Sequence, residues 1–217
     1  MSLIPNRYLF KFEFPLIRSA KAPKIDGRAD RWDERLLLPP LYELDGEPPT
    51  GNVLATWNDA GLYIGCVVRG KRRGVRCDPA QFWKSDCLRI MTDMRDTRDI
   101  RRATRFCQHF YLLPAGGGRG GNDPVAGNAK VHRATENAAP IPASRIPIAA
   151  HHFDDGYALT AHLPADALSG WNPAEHRRIG LFYMLEDTEK GQQSLTIGDD
   201  LNWFIDPSTW PTAVLAD

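Results

Sequence analysis

Two tryptophans stand where an aromatic ring could meet a ligand. Trp83, in Phe82-Trp83-Lys84-Ser85-Asp86, precedes a strand-like run, and Trp203, in Asn202-Trp203-Phe204, lies beside a turn among polar residues. A large flat ring held at such a place can stack on a flat apolar face, such as a sugar ring or a base. Packing is the commoner fate of any single tryptophan, but a pair at matching loop positions raises the functional reading. The other tryptophans read differently. Trp57 ends an alternating run and is expected in the core, and Trp32 sits in a charged turn from which its ring can pack onto a sheet.

Catalytic patterns are sparse. The chain has no H-E-x-x-H and no G-x-S-x-G, so neither a zinc protease nor a nucleophile-elbow hydrolase is indicated. Asp86, Glu186 and Asp187 could supply paired carboxylates for glycoside hydrolysis, but sequence does not set their separation. His151 and His152 are adjacent, and neighbours on a strand point to opposite faces, which suits no shared metal. Cys66, Cys77, Cys87 and Cys107 form no C-x-x-C pair. Three of them, Cys66, Cys87 and Cys107, fall in apolar runs and read as buried thiols. Asp93, Asp96 and Asp99 lack the spacing, glycine and distal glutamate of an EF-hand, which leaves only a loop calcium site of another kind open. The arginines of MRDTRDIRRATRF are interleaved with Asp96 and Asp99, so that stretch reads as a self-paired, solvated loop rather than a nucleic-acid contact.

The elements that must position these residues are short strands. CLRIMTD (87–93) alternates, with Leu88, Ile90 and Thr92 on one parity and Cys87, Arg89 and Met91 on the other, the pattern of a half-buried strand. NVLATW (52–57) and LYIGCVV (62–68), joined through Asn58-Asp59-Ala60-Gly61, predict a hairpin. FCQHFYLLP (106–114), GYALTAHLP (156–164), RIGLFYMLED (178–187) and QSLTIG (193–198) complete the set. Tyr8, Phe10, Phe12 and Phe14 alternate near the start, so residues 1–21 read as an N-terminal strand. A short helix is expected near Asp30–Leu36 and one turn at 164–168. Residues 114–150 are Gly- and Pro-rich, have no G-K-[ST], and read as a mobile, irregular loop. Many short strands separated by Gly and Pro predict an all-β fold: a single antiparallel β-sandwich, jelly-roll-like, with a long Gly/Pro-rich loop insertion, over residues 1–217.

Composition agrees with one such domain. The chain has 217 residues, 42% hydrophobic and 25% charged, with formal net charge zero, so no general attraction to nucleic acid or to an anionic membrane is expected. No run reaches the length of a membrane span, and Arg7, Lys11 and Glu13 interrupt the apolar start, so it lacks a signal-peptide core. With buried thiols, this leans towards a reducing, cytoplasmic compartment.

Four ordered pieces resemble the family-9 carbohydrate-binding modules and the related DOMON-like β-sandwich domains. They are Ile25-Asp26-Gly27-Arg28-Ala29-Asp30-Arg31-Trp32; Ala55-Thr56-Trp57-Asn58 with Leu62-Tyr63; Trp83-Lys84-Ser85-Asp86-Cys87-Leu88; and a final set. That set comprises Gly156-Tyr157, Leu163-Pro164, Leu168, Arg178-Ile179-Gly180-Leu181, Asp187, Gly191 and Asp206-Pro207-Ser208-Thr209-Trp210. The resemblance runs from about residue 22 to the C-terminus. It implies a β-sandwich and non-catalytic binding of a carbohydrate, with Trp83 and Trp203 clamping a sugar ring. It also places Asn202, His109 and Met184 in the site. The sequence departs from the family's pattern at Arg89, where a glutamate is expected, and at Met184, where a glutamine is expected; the family's site arginine falls near Cys107–His109. A guanidinium in place of a carboxylate inverts the hydrogen-bond demand and favours an anionic partner, an acidic sugar or an internal carboxylate such as Asp86 or Glu186. Such modules serve a glycoside hydrolase, which is the implied partner. Two alternatives stay open. One is a haem b-binding, cytochrome-like sandwich drawing on Met91, Met94, Met184, His109 and His162; the other is a structural or interaction domain without a ligand. No cofactor is expected under the first reading, with calcium left open.

Overall fold

The computed structural model describes residues 11–41, 48–196 and 202–217. Eleven strands are present among them: β1 (Glu13–Ile17), β2 (Gly51–Asn58), β3 (Gly61–Val68), β4 (Cys87–Asp93), β5 (Cys107–Gly117), β6 (Asp123–Ala129), β7 (Ile148–Phe153), β8 (Gly156–Pro164), β9 (Arg178–Asp187), β10 (Gly191–Ser194) and β11 (Thr212–Ala216). They form two sheets. The larger has the order β1-β11-β9-β4-β5-β6, with β10 also pairing to β9, and the smaller is β2-β3-β8-β7. All pairings are antiparallel except β1 with β11, which is parallel. The fold is the expected β-sandwich.

The core between the sheets follows from period two. Leu88 and Ile90 of β4, Phe110 and Leu112 of β5, and Leu181, Tyr183 and Leu185 of β9 face inward from the large sheet. Val53, Ala55 and Trp57 of β2, Ile64 and Cys66 of β3, and Leu159 and Ala161 of β8 meet them from the small one. The β2–β3 hairpin turns as expected: the Asn58 side chain accepts from the Ala60 N–H at 2.9 Å. Gly61 closes it at φ 133°, where an added Cβ would lie 2.1 Å from the Leu163 carbonyl oxygen.

Several expectations need correction. The strand β4 is buried on both faces, not one, because Met91, Cys107, Phe182, Met184, Trp203 and Trp210 form a second apolar cluster on the outer face of the large sheet. The stretch 114–150 is not a continuous irregular loop: it holds β6 and the start of β7, with a 3₁₀ turn at Ala143–Arg145. The strand β6 carries Pro124, which is tolerated because β6 is the sheet's edge. The helix expected near 30–36 is two single 3₁₀ turns, Ala29–Arg31 and Glu34–Leu36, and Trp32 packs there beside Ala29 and Leu36 as expected. The strand expected at 193–198 is β10, Gly191–Ser194, and 197 and 198 lie outside the described residues; the final strand, β11, falls on a run that was not singled out. The N-terminal strand is Glu13–Ile17; Tyr8 and Phe10 lie outside the described residues. Nor is the arginine loop merely solvated. Arg95 donates to the Gly170 carbonyl at 2.8 Å, and Arg98 donates to the Trp210 carbonyl and to Thr212. Cys66, Cys87 and Cys107 are buried free thiols, as read, and burial pushes those of Cys66 and Cys107 up to about 12.

Candidate functional site

The outer face of the large sheet carries the site. Successive residues alternate faces, so the parity that sends Leu88 and Ile90 inward sends Arg89 and Met91 outward. Register then assembles rows across strands. In one row Arg89 lies between Tyr111 of β5 and Met184 of β9, and Tyr111 lies beside Gly127 of β6. In the next, Met91 lies between His109 and Phe182, with Ala129 beyond His109. Glu186 pairs with Gln192 of β10. Loops wall these rows in. A cleft of about 720 Å³ results, lined by Phe82, Trp83, Arg89, His109, Ala129, Lys130, His132, Glu186, Gln192, Trp203 and Phe204. That volume lies within the usual range of small-molecule sites.

Polar groups on the cleft floor are fixed. Arg89 donates from Nη1 to Glu186 Oε1 at 2.8 Å and from Nε to His109 Nε2 at 3.2 Å. Gln192 Nε2 donates to the same Glu186 oxygen at 3.0 Å and approaches the Met184 sulfur at 3.8 Å. Burial holds the His109 imidazole well below its ordinary value, with the Arg89 charge adding to the effect. His109 is therefore neutral, and its Nε2 accepts, which places its ring proton on Nδ1.

The two tryptophans differ sharply. Trp83 is 49% exposed at the cleft's lip, whereas Trp203 is 1% exposed. The Trp203 ring stacks on Phe182 with centroids 5.2 Å apart and 20° between planes, and the Arg89 guanidinium lies 4.5 Å from its centroid. Phe204 and His109 meet it edge-on. Trp203 thus reaches the cleft as a buried support under Arg89, not as an open stacking face. The half-buried Phe204, next to His132 at a centroid distance of 6.4 Å, is the more accessible ring on that side.

Of the residues expected in the site, Trp83, Trp203, Arg89 and His109 converge on the cleft. Met184 lies beneath it, fully buried beside Arg89. Asn202 does not line it. It is exposed at φ 52°, a conformation asparagine tolerates, and its carbonyl accepts from Ile205 and Asp206 to form the turn before the D-P-S segment. Of the two carboxylates open to Arg89, the structure selects Glu186; Asp86 is engaged by Lys71. The methionine and histidine set is split: Met91, Met184 and His109 share the outer face of the large sheet. Met94 sits in the core between the sheets, and His162, on the other sheet, stacks on Tyr63 at 4.4 Å. Sequence reading missed Phe82, Lys130, His132, Gln192 and Phe204. Phe82 and Phe204 adjoin the two tryptophans, and that adjacency was the available signal.

No protein-family model matches the chain, and no curated protein matches it in sequence. Solved structures match its fold, two family-9 modules among them. One is a family-9 carbohydrate-binding module from Caldicellulosiruptor kristjanssonii in complex with cellotriose, with a TM-score of 0.63, 14% identity, and coverage of 94% of this chain and 93% of that one. The other is a family-9 module from the same organism in complex with glucose, with a TM-score of 0.64, 13% identity, and coverage of 93% and 95%. The chain has the fold of the family-9 carbohydrate-binding modules.

Proposed function

We propose that the chain is a non-catalytic carbohydrate-binding module and that the cleft beside Trp83 is its sugar site. The observation that carries this is the pairing of an open indole ring with a fixed polar set on one cleft. A pyranose has an apolar C–H face that suits Trp83, and hydroxyls that act as both donors and acceptors. Arg89 and Gln192 supply donors, and the Glu186 carboxylate supplies acceptors, since it can accept more bonds than the two it receives from them. The fold shared with modules solved in complex with glucose and cellotriose supports the same reading.

Arg89 does not by itself select the acidic sugar that its place in the sequence suggests. The guanidinium already meets Glu186 at 2.8 Å, so the pair adds no net charge to the floor. Only one carboxylate, Glu186, lines the cleft among the described residues, whereas the usual hydrolysis of glycosides uses two. Binding without cleavage is the fitting role, in the service of a glycoside hydrolase as partner. The test is a glycan array probed with wild type and Trp83→Ala. The reading expects a set of neutral glycans retained by wild type and lost by the variant. Identical profiles, or no glycan bound at all, would overturn it.

A further inference from the structure

We propose that Gly127, Tyr111 and Phe82 form a pedestal that positions Trp83, and that Gly127 is a positioning residue for the cleft although it does not line it. This rests on the carbohydrate reading for its binding arm only.

The pedestal builds upward from the sheet edge. Gly127 of β6 is the cross-strand partner of Tyr111. The Tyr111 ring lies across the β6 backbone so closely that a Cβ on Gly127 would sit 2.3 Å from its Oη, 2.4 Å from Cζ and 2.9 Å from Cε1. Only a residue without a Cβ lets the ring lie there. Phe82 stacks on Tyr111 with centroids 4.3 Å apart and planes 9° from parallel. Trp83 then meets Phe82 edge-on at 5.2 Å, and His109 flanks Phe82 at 5.6 Å.

Trp83 itself is half exposed, and the ring contact it makes is with Phe82. The segment that bears it, Pro79–Lys84, is a non-uniform 3₁₀ stretch with Gln81 out of helical geometry. Its entry is fixed by the Asp78 carboxylate, which accepts from Ala80 N–H at 2.9 Å, and by Ser85 Oγ, which accepts from Asp78 N–H at 2.8 Å. A second seat lies at Pro79, whose ring packs against Gly116: an added Cβ there would be 3.0 Å from Pro79 Cδ. The middle of the segment has Phe82 on Tyr111 as its anchor.

A methyl group at Gly127 would force the Tyr111 ring outward by about 1 Å or more to reach ordinary van der Waals separation. The far end of a side chain can make that move, so the sheet survives. Phe82, parallel and in contact, has to move with it, and Trp83 is displaced from the lip. A substitution outside the cleft lining therefore alters the cleft while leaving the core between the sheets intact.

The test compares wild type, Gly127→Ala, Tyr111→Ala, the double variant, and Gly74→Ala as a control at an exposed glycine with open space around it. The first readout is the indole N–H resonance of Trp83, assigned with Trp83→Phe. The second is affinity for glucose and cellotriose. Gly127→Ala should move the Trp83 resonance and weaken binding about tenfold, within the range an aromatic contact contributes. Tyr111→Ala should do the same, and Gly127→Ala should add nothing in its background. Gly74→Ala should change neither readout. An unmoved Trp83 resonance in Gly127→Ala and Tyr111→Ala, or additive effects in the double variant, overturns the pedestal. Should Gly127→Ala fail to fold, Tyr111→Ala decides alone. Wild type that binds neither sugar overturns the carbohydrate reading, while the resonance arm still decides the pedestal.

Discussion

Lys71→Met removes the cation from a buried cage. The Lys71 ammonium lies 3.1 Å from Asp86 Oδ1 and 2.8 Å from Asp187 Oδ2, and all three side chains are 1% exposed or less. Methionine can replace the stem of the lysine but not its charge. Removing one partner of a buried ion pair costs about 3–5 kcal/mol, because the remaining charge is stranded. Both carboxylates retain donors here. Asp86 keeps Arg76 N–H at 2.8 Å and Thr188 N–H and Oγ1 at 2.8 and 3.0 Å. Asp187 keeps the N–H groups of Glu189 and Lys190 at 2.8 and 2.9 Å. The loss should therefore fall near the low end, about 3 kcal/mol. With a urea m-value of about 2–3 kcal/mol/M, that lowers the unfolding midpoint by about 1–1.5 M.

The pH dependence of that deficit identifies its cause. Burial opposes ionisation of Asp187, but the bond from Lys71, with those from the Lys190 and Glu189 N–H groups, outweighs it and holds the carboxyl below its ordinary 3.8. The stability this gives wild type is present above 3.8 and is lost as pH falls through the lowered folded value. Without Lys71 that bond and its charge are gone, so a carboxyl of the cage takes up a proton more readily. The deficit of Lys71→Met in urea unfolding should accordingly shrink between pH 7 and pH 5, and Lys71→Met/Asp187→Asn should recover part of it at pH 7. A deficit below about 1 kcal/mol at pH 7, or one unchanged at pH 5, would refute the reasoning.

Three further outcomes follow from the site. Trp203→Ala should cost about 3–5 kcal/mol in denaturant unfolding, since its ring is enclosed, while Trp83→Ala should cost less than about 1 kcal/mol. Glu186→Gln leaves Arg89 without its counter-charge, so the ratio of glucuronate to glucose affinity should rise above that of wild type in competition titrations. His109 is neutral and buried, with its pKa below the ordinary 6.5, so its contribution is present above that value and is lost as pH falls below it, when the unfolded chain takes up a proton that the folded one refuses. Wild type should then lose up to about 1.4 kcal/mol per pH unit below about pH 6.5 relative to His109→Gln in thermal or urea unfolding.

Period two made much of the sandwich legible. The runs 87–93, 156–164 and 178–187 are strands β4, β8 and β9 with the same bounds. Edge strand β6 was not legible, because Asp123-Pro124-Val125-Ala126-Gly127-Asn128-Ala129 has no alternation of its own and becomes a strand through its pairing with β5. Arg89 and His109 were read towards the cleft because they stand beside motif positions on strands. Gln192 reaches Glu186 through the β9–β10 register, and Lys130 and His132 arrive on a loop whose path no local pattern specifies. The burial of Trp203 is a non-local fact of the same kind. Phe182 on β9 and Arg89 on β4 cover its ring, and neither is near it in sequence.

The most direct test of the account is isothermal titration of glucose and cellotriose into the full chain and into Trp83→Ala under identical conditions. The account predicts saturable binding of at least one of the two sugars by wild type, weakened about tenfold or more in the variant. Equal affinity in both proteins, or no heat of binding from either sugar in wild type, would contradict it.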